Sequence, residues 1–242
     1  MDTGKDDIFV EGGRPGGFQF NDRVAEVFDD MLERSVPCYR QVMDMSARIL
    51  AKKLVPRDRV YDLGCSTGNT LLEMARKLER LDLDYTGIDS SPAMIAKAER
   101  KVSMYAKGEH IHFRTADILD VELSGAGAVI LNYTLQFIKP PDRPRFLKKI
   151  HDGLRPGGVL LLSEKVVFTA KETNVDFIDF HHAFKREQGY SELEIAKKRE
   201  ALENVLIPFT AEENRVLLAA AGFRVVEGFC QWFNFVSFLA VK

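Results

Sequence analysis

The chain has 242 residues, of which 45% are hydrophobic and 29% are charged. This balance excludes a disordered or fibrous chain and predicts one globular domain, since α/β domains often reach this length. The 34 basic and 36 acidic residues leave a formal charge of -2, whereas proteins that bind duplex DNA usually carry a basic stripe. We therefore expect no direct binding to nucleic acid.

The three cysteines, Cys38, Cys65 and Cys230, are far apart and show no disulfide or metal-binding spacing. They favour a reducing compartment, so we expect a cytoplasmic protein without a bound metal. The longest uncharged stretch, 228–241, is shorter than the roughly 20 residues that a membrane helix needs. The acidic N-terminus also does not resemble a secretory signal, so neither a membrane span nor export is expected.

The first half of the chain predicts an alternation of strands and helices. Residues 1–17 are polar and rich in glycine, which predicts a flexible segment before a single domain over 18–242. Two helices are expected over 18–55, because apolar residues recur there at helical spacing. Further on, short apolar runs predict strands at 59–63, 85–89, 111–115 and 128–133, and 159–162 opens a fifth strand. Helical patterns separate most of them, which predicts a mostly parallel sheet.

The alternation stops after the fifth predicted strand. The charged stretch 170–207 predicts a helical insertion, and Ser191 with Glu194 forms a capping-box pattern at the start of one helix. Strands predicted at 223–227 and 231–241 are separated by a short turn, which indicates an antiparallel hairpin. The predicted fold class is α/β, with a mostly parallel seven-stranded sheet, helices on both faces, a C-terminal antiparallel hairpin and a helical lid.

Glycines follow the first predicted strand, at the end where open α/β sheets bind ligands. The turn contains Gly64, Cys65 and Ser66, and it lets the backbone and the N-terminus of the next helix approach a ligand closely. It lacks the G-x-G-x-x-G pattern of dinucleotide sites, which disfavours a nicotinamide cofactor. Considered alone, the turn is also explained as an ordinary connection between a strand and a helix.

Polar residues also follow the next three strands. Asp89, followed by Ser90, closes the second strand, where a carboxylate can accept both hydroxyls of a ribose. Asp117 and Ile118 follow the third strand and offer an acceptor for an adenine amino group beside an apolar wall, and Asn132 ends the fourth. Each residue alone is explained by a turn, a cap or a strand end. Together they indicate one adenosyl ligand.

These strand ends and the final hairpin resemble the class I S-adenosyl-L-methionine-dependent methyltransferases, over about 56–242. Their fold is Rossmann-like. Shorter segments resemble a narrower family, the carboxy-S-adenosyl-L-methionine synthases, from about residue 18 to the end. The segments that carry this second resemblance are 20–28, 34–39, 61–66, 135–137, 162–165, 181–186, 189–195, 198–199 and 202–205. Cys38 stands where this family pattern has glycine.

The resemblance implies conversion of S-adenosyl-L-methionine and prephenate to carboxy-S-adenosyl-L-methionine, phenylpyruvate and water. It implies that the adenosylmethionine part contacts Tyr39, Gly64, Cys65, Ser66, Asp89, Ser90, Asp117, Ile118 and Asn132. It also implies a homodimer in which Arg199 holds the new carboxylate, because a guanidinium pairs bidentately with a carboxylate. The product then serves a tRNA carboxymethyltransferase that modifies the wobble uridine (cmo5U).

Other interpretations of these residues stay open. A conventional small-molecule methyltransferase and a noncatalytic protein that binds an adenosyl ligand are the two alternative functions. By composition alone, Arg199 lies in a charged run that is typical of a solvated helix face. Four basic residues of the insertion are candidates for attracting dianionic prephenate: Lys185, Arg186, Lys197 and Lys198.

Overall fold

The computed structural model describes residues 4–9, 19–105 and 108–242. In these ranges the strands are β1 (Arg59–Leu63), β2 (Asp84–Asp89), β3 (Ile111–Thr115), β4 (Ala126–Asn132), β5 (Leu154–Lys165), β6 (Val225–Trp232) and β7 (Phe235–Val241). The helices are α1 (Asp22–Ser35), α2 (Tyr39–Lys53), α3 (Asn69–Lys77), α4 (Pro92–Val102), α5 (Arg143–Gly153), α6 (Lys171–Glu187), α7 (Glu192–Leu202) and α8 (Ala211–Ala220). No helix in the described parts of the chain has both the length and the apolar character needed to cross a bilayer.

The seven strands form one sheet in the order β3, β2, β1, β4, β5, β7, β6. β1 pairs in parallel with both β2 and β4, so the strand order reverses between β1 and β4. β7 runs antiparallel to β5 and β6. The predicted fold class is therefore confirmed. Open α/β sheets bind ligands at the point where the strand order reverses, which lies between β1 and β4 in this sheet.

Apolar cores cover both faces of the sheet. One contains Phe146 and Leu147 of α5, and the other contains Leu50 of α2 and Leu71 of α3. β4 is buried along its whole length except at Asn132. This burial explains its continuous apolar run, since a strand covered on both faces needs no polar alternation.

Two predicted boundaries are wrong, and both involve glycine. The run 155–158 precedes the fifth strand predicted from 159, but it lies inside β5, where the register against β4 shifts between Ala126 and Ala128. Gly228 was predicted to lie at the hairpin turn but lies at a register shift within β6, and the turn lies at 233–234. Glycine and proline are compatible with bulges as well as turns, so composition did not distinguish the two.

Residues 4–9 belong to the segment that the sequence predicts to be flexible, but the structure shows them in contact with the rest of the chain. Asp6 is 2% exposed, its carboxylate accepts a hydrogen bond from the Tyr190 hydroxyl, and its Oδ2 lies 3.6 Å from Lys198 Nζ. The carbonyl of Phe9 accepts a hydrogen bond from Lys197 Nζ at 3.1 Å. These contacts hold residues 4–9 against α7 and the loop before it. The other residues of the predicted segment, 1–3 and 10–17, lie outside the described residues.

Candidate active site

A cavity of about 610 Å³ lies above the carboxyl ends of the parallel strands. Residues of α1, α6 and α7 form its roof, and strand ends form its floor. Seven of the ten predicted site residues line this cavity: Gly64, Ser66, Asp89, Ser90, Asp117, Ile118 and Asn132. Local patterns at four separate strand ends thus predicted residues that the fold brings together.

Tyr39, Cys65 and Arg199 do not line the cavity. Tyr39 begins α2 and hydrogen-bonds Thr70, whose hydroxyl also accepts a hydrogen bond from the Asn132 amide over 3.4 Å. Cys65 is 5% exposed, and burial raises the pKa of its thiol well above the usual value. A thiol of this kind is a poor nucleophile, because the reactive species is the thiolate. Arg199 lies on the exposed side of α7.

The glycine-rich turn after β1 holds an unusual backbone conformation. Gly64 has a φ of 81° and Ser66 a φ of 48°, both in the left-handed region that favours glycine. The N–H of Gly64 donates to the Ile88 carbonyl at 2.7 Å, which ties the turn to β2. A Cβ atom on Gly64 would lie 2.6 Å from Cγ2 and Oγ1 of Thr134. Position 64 therefore needs glycine both for its dihedral angle and for space.

Gly64→Ala is expected to lower the free energy of unfolding by about 1–2 kcal/mol and to weaken the binding of S-adenosyl-L-methionine, because the turn must move to relieve the contact with Thr134. Gly125→Ala is the matched control, since Gly125 also has a positive φ, 61°, but a Cβ there meets nothing within 4 Å. Chemical denaturation and calorimetric titration of both variants measure the two effects. Equal losses in both variants would show that Thr134 does not restrict this position.

Asp89 is held in place by two backbone groups. Its Oδ2 accepts a hydrogen bond from the N–H of Ser66, and its Oδ1 accepts one from the N–H of Ser91, both at 2.9 Å. Burial raises the pKa of Asp89, and the two hydrogen bonds act in the opposite direction. Ser91, through its hydroxyl, accepts the hydrogen bond that caps α4. Asp89 is therefore not needed as a helix cap, and each of its oxygens keeps a further lone pair for a ligand.

Other polar groups near the strand ends are also available to a ligand. Asp117 is exposed, and its Oδ1 accepts a hydrogen bond from the N–H of Leu119 at 2.8 Å, which leaves its second oxygen available. Within the described residues, Oδ1 of Asn132 and Oδ2 of Asp62 are buried and have no hydrogen-bond partner. Burial raises the pKa of Asp62 to about 8. A buried polar atom without a partner costs free energy, so Oδ1 of Asn132, which lines the cavity, is a candidate contact for a ligand, whereas Asp62 does not line the cavity.

A buried carboxylate shapes the cavity floor beyond β4. Glu164 accepts hydrogen bonds from the N–H groups of Leu135 and Gln136, both at 2.9 Å. Burial raises the pKa of Glu164 to about 8, and these N–H groups together with Arg143 pull it down. Through these hydrogen bonds Glu164 positions the loop 133–138, of which residues 133, 134 and 136–138 line the cavity.

Asp29 fixes α1 over the glycine-rich turn. Its Oδ1 accepts hydrogen bonds from the Thr67 hydroxyl at 2.5 Å and the Asn69 amide at 2.8 Å. Its Oδ2 lies 2.5 Å from Nζ of Lys101 on α4. α1 is thereby held against α3 and α4, so this part of the roof is rigidly placed.

Basic residues line the part of the cavity next to β5. We call Lys165, His181, Lys185 and Lys198 the basic wall. Lys165 ends β5, two residues after Ser163, which pairs in register with Asn132 of β4. Burial lowers the pKa of Lys165, and it lowers the pKa of Lys185 to about 7. No described residue makes a hydrogen bond or ion pair with either of these two ammonium groups.

The other two residues of the basic wall have protein partners. Lys198 donates to the Ser35 hydroxyl at 2.9 Å and lies 3.6 Å from Asp6 Oδ2, and burial lowers its pKa to about 8. His181 Nε2 lies 2.9 Å from the Ser35 carbonyl, and burial lowers the pKa of this histidine to about 2. His181 is therefore neutral and contributes polarity rather than charge.

The structure separates the four basic candidates that the sequence indicated. Lys185 and Lys198 line the cavity, whereas Arg186 and Lys197 do not. Arg186 is exposed and bonds Glu192 at 2.6 Å, and Lys197 bonds the carbonyl of residue 9. Lys165 was not predicted as a site residue, although it ends the fifth strand as Asn132 ends the fourth. Within the described residues, no group of His, Cys, Asp and Glu side chains has the arrangement of a metal site.

Comparison with known proteins identifies the family. A methyltransferase domain family matches residues 60–158. A carboxy-S-adenosyl-L-methionine synthase of Desulfotalea psychrophila is 55% identical over 242 residues, which cover 100% of this chain and 99% of that protein. The chain belongs to the carboxy-S-adenosyl-L-methionine synthase family. Synthases of Campylobacter concisus and Shewanella amazonensis are 49% and 44% identical over 98% and 100% of this chain, and over all of their own length. The predicted enzyme, which forms carboxy-S-adenosyl-L-methionine, is therefore confirmed.

Solved structures support the fold at lower sequence similarity. Human N-acetylserotonin methyltransferase in complex with S-adenosylmethionine is 18% identical, with a TM-score of 0.62 over 91% of this chain and 55% of that one. Mitomycin 7-O-methyltransferase is 14% identical, with a TM-score of 0.64 over 90% of this chain and 56% of that one. At these identities the similarity concerns the fold alone, and it confirms the predicted class I methyltransferase fold.

Proposed function

We propose that this cavity converts S-adenosyl-L-methionine and prephenate into carboxy-S-adenosyl-L-methionine, phenylpyruvate and water. The observation that carries the proposal is that one cavity combines strand ends suited to a nucleoside with two largely buried ammonium groups that no described residue pairs. The sheet edge suits the adenosyl ligand. Unpaired buried cations favour a second ligand with negative charge, and prephenate carries two carboxylates.

The order of the strands sets the orientation of the first substrate. Asp117 beyond β3 and Ile118 beside it receive the adenine, and Asp89 beyond β2 receives the ribose hydroxyls. The backbone of Gly64 and Ser66 beyond β1 contacts the ligand between them and Asn132. The sulfonium methyl group then faces β4 and β5, on the side of the basic wall. In this arrangement Cys65 contributes its backbone, Ser90 closes the ribose side, and Tyr39 acts through Thr70.

The proposed reaction needs no protein base. Prephenate loses carbon dioxide and its ring hydroxyl, and the departing hydroxide takes a proton from the sulfonium methyl group to give water. The resulting ylide carbon attacks carbon dioxide, which forms the new carbon-carbon bond. The net charge balances, because a cation and a dianion give a neutral carboxylated product and the phenylpyruvate anion. The protein contributes proximity and exclusion of water.

The test is turnover of the purified chain with both substrates, followed by mass spectrometry. We expect a product heavier than S-adenosyl-L-methionine by one carbon dioxide unit, with one phenylpyruvate per product and no product without prephenate. Release of S-adenosylhomocysteine with a methylated acceptor would overturn the proposal in favour of a conventional methyltransferase. Binding of both ligands without turnover would indicate a noncatalytic protein.

The proposed function also includes the oligomeric state of the chain and the enzyme that uses its product. The chain acts as a cytoplasmic homodimer without a metal, and Arg199 of one subunit holds the new carboxylate in the cavity of the other. The product is used by a tRNA carboxymethyltransferase, while this chain itself does not bind nucleic acid. Size-exclusion chromatography with light scattering tests the dimer, and a monomer that retains full activity would contradict it.

A further inference from the structure

We infer that Lys165 and Lys185 bind the carboxylates of prephenate and make the cavity selective for a dianion. The inference rests on the proposed function, because it assigns residues to the second substrate of that reaction. Both side chains line the cavity, and they reach it from different elements, β5 and α6. The space between the two side chains is therefore bordered by both the sheet and the helical insertion.

The state of these two ammonium groups is energetically unfavourable without a ligand. Lys185 is 9% exposed, and no described residue pairs with its side chain or with that of Lys165. A buried cation without a counter-ion loses hydration that nothing replaces. Two such cations side by side also repel each other, which the effect of Lys165 on the pKa of Lys185 reflects. A ligand with two carboxylates removes both penalties at once.

The remaining basic groups are less suited to this role. Lys198 already contacts the Ser35 hydroxyl and the Asp6 carboxylate, so its charge is partly neutralised. His181 is neutral, as described above. Arg186, next to Lys185 on α6, is exposed and paired with Glu192. Lys139 also lines the cavity, but it is exposed, so its charge stays hydrated. Lys165 and Lys185 are therefore the two largely buried cavity cations that no described residue pairs.

The charged groups around Lys185 predict that prephenate binding is coupled to the uptake of a proton. Lys165 on β5 and Lys198 on α7 lower the pKa of Lys185 in addition to burial, Asp6 raises it, and His181 on the same helix is neutral. The result is a pKa of about 7 in the free protein. A bound dianion favours the charged ammonium and raises this pKa. At pH 8, prephenate binding is therefore expected to take up a proton, whereas at pH 6 the lysine is already charged and uptake is small.

The experiment compares Lys165→Met and Lys185→Met with Arg186→Met, a matched control that removes one positive charge from the exposed side of α6. Each lysine variant is expected to raise the KM for prephenate by about tenfold or more, since a charge-assisted hydrogen bond is lost. The affinity for S-adenosyl-L-methionine should change by less than about twofold, because the adenosyl site lies at other strand ends. The control should match the wild-type protein in both values.

Stability provides a second measurement that does not depend on turnover. Replacing an unpaired buried cation with methionine is expected to raise the Tm of Lys185→Met by about 2–4 °C, which also shows that the variant folds. Calorimetry at pH 8 in buffers of different ionisation enthalpy should show proton uptake on prephenate binding to the wild-type protein and a smaller uptake with Lys185→Met, in which Lys165 and Lys198 remain. A stabilised variant that binds prephenate less well is the result that a merely structural lysine would not give.

Three outcomes would overturn the inference. One is an unchanged prephenate KM in both lysine variants. Another is an equal loss of affinity for S-adenosyl-L-methionine, which would place these lysines on the first substrate instead. The third is a lower Tm, which would mean that the ammonium groups are stabilised in the free protein. If the wild-type chain makes no carboxylated product, the proposed function fails, and calorimetric titration of prephenate into the variants still decides the inference.

Discussion

Replacing Asp89 with alanine is expected to weaken the binding of S-adenosyl-L-methionine by about 100-fold or more. Two ribose hydroxyls lose a charged acceptor, and each hydrogen bond to a charged group contributes about 1.5–3 kcal/mol. The substitution also leaves the N–H groups of Ser66 and Ser91 without the acceptor that now orders them. The substitution thus removes both the contacts that order the turn and the contacts to the ribose. The affinity for S-adenosyl-L-methionine should therefore fall further than the loss of one ribose hydrogen bond would cause.

Asp84→Ala is the matched control for this variant. Asp84 lies at the opposite end of β2, is 60% exposed, and comes no closer than 3.9 Å to His110. The Asp84→Ala variant removes an acidic residue from the same strand without affecting the cavity. Its affinity for S-adenosyl-L-methionine and its Tm should therefore stay close to those of the wild-type protein. Isothermal titration calorimetry measures the affinity of both variants. Wild-type affinity in Asp89→Ala would show that Asp89 only orders the turn.

Much of the nucleoside side of the site could be predicted because it depends on local geometry. The carboxyl ends of parallel strands meet at one edge, so a polar residue that ends a predicted strand is placed by the strand alone. Asp89 and Asn132 were located in this way. The same reasoning predicted the capping box of α7, which the structure contains at Ser191 and Glu194. Such features need contacts only between residues that are close in the sequence.

The N-terminal segment could not be predicted because its environment comes from distant parts of the chain. Residues 4–7 are polar or glycine, which locally favours a flexible segment. The partners that bury Asp6, Tyr190 and Lys198, follow more than 180 residues later. Nothing in the local composition indicates that a hydroxyl and an ammonium group will be brought to this carboxylate.

Backbone strain is a further feature that composition hides. Cys38 has a φ of 56°, in the left-handed region, at the residue before α2. The family resemblance has glycine at this position, which the observed dihedral explains, because glycine adopts positive φ without steric cost. Cysteine as a residue type does not favour positive φ, so the sequence alone did not predict this conformation. The departure from the family pattern therefore marks a strained turn between α1 and α2.

Arg199→Ala is expected to weaken the binding of carboxy-S-adenosyl-L-methionine by about 30-fold or more, since a bidentate pair of about 2 kcal/mol is lost. The affinity for S-adenosyl-L-methionine should fall much less, because that ligand lacks the new carboxylate. Equal losses for both ligands would show a structural role. Calorimetric titration with each ligand separates these outcomes, and Arg186→Met serves as a control for the loss of one charge.

The position of Arg199 also determines which subunit it serves. Lys198 is 6% exposed and lines the cavity, whereas Arg199, the next residue of α7, is exposed and does not. Adjacent residues of a helix point in different directions, so Arg199 faces away from the cavity of its own chain. Mixing Arg199→Ala with Asp89→Ala chains tests its action across a dimer. Mixed dimers then contain one complete site, and about a quarter of wild-type activity should return. If Arg199 served its own chain, no mixed dimer would hold a complete site, and activity would stay absent.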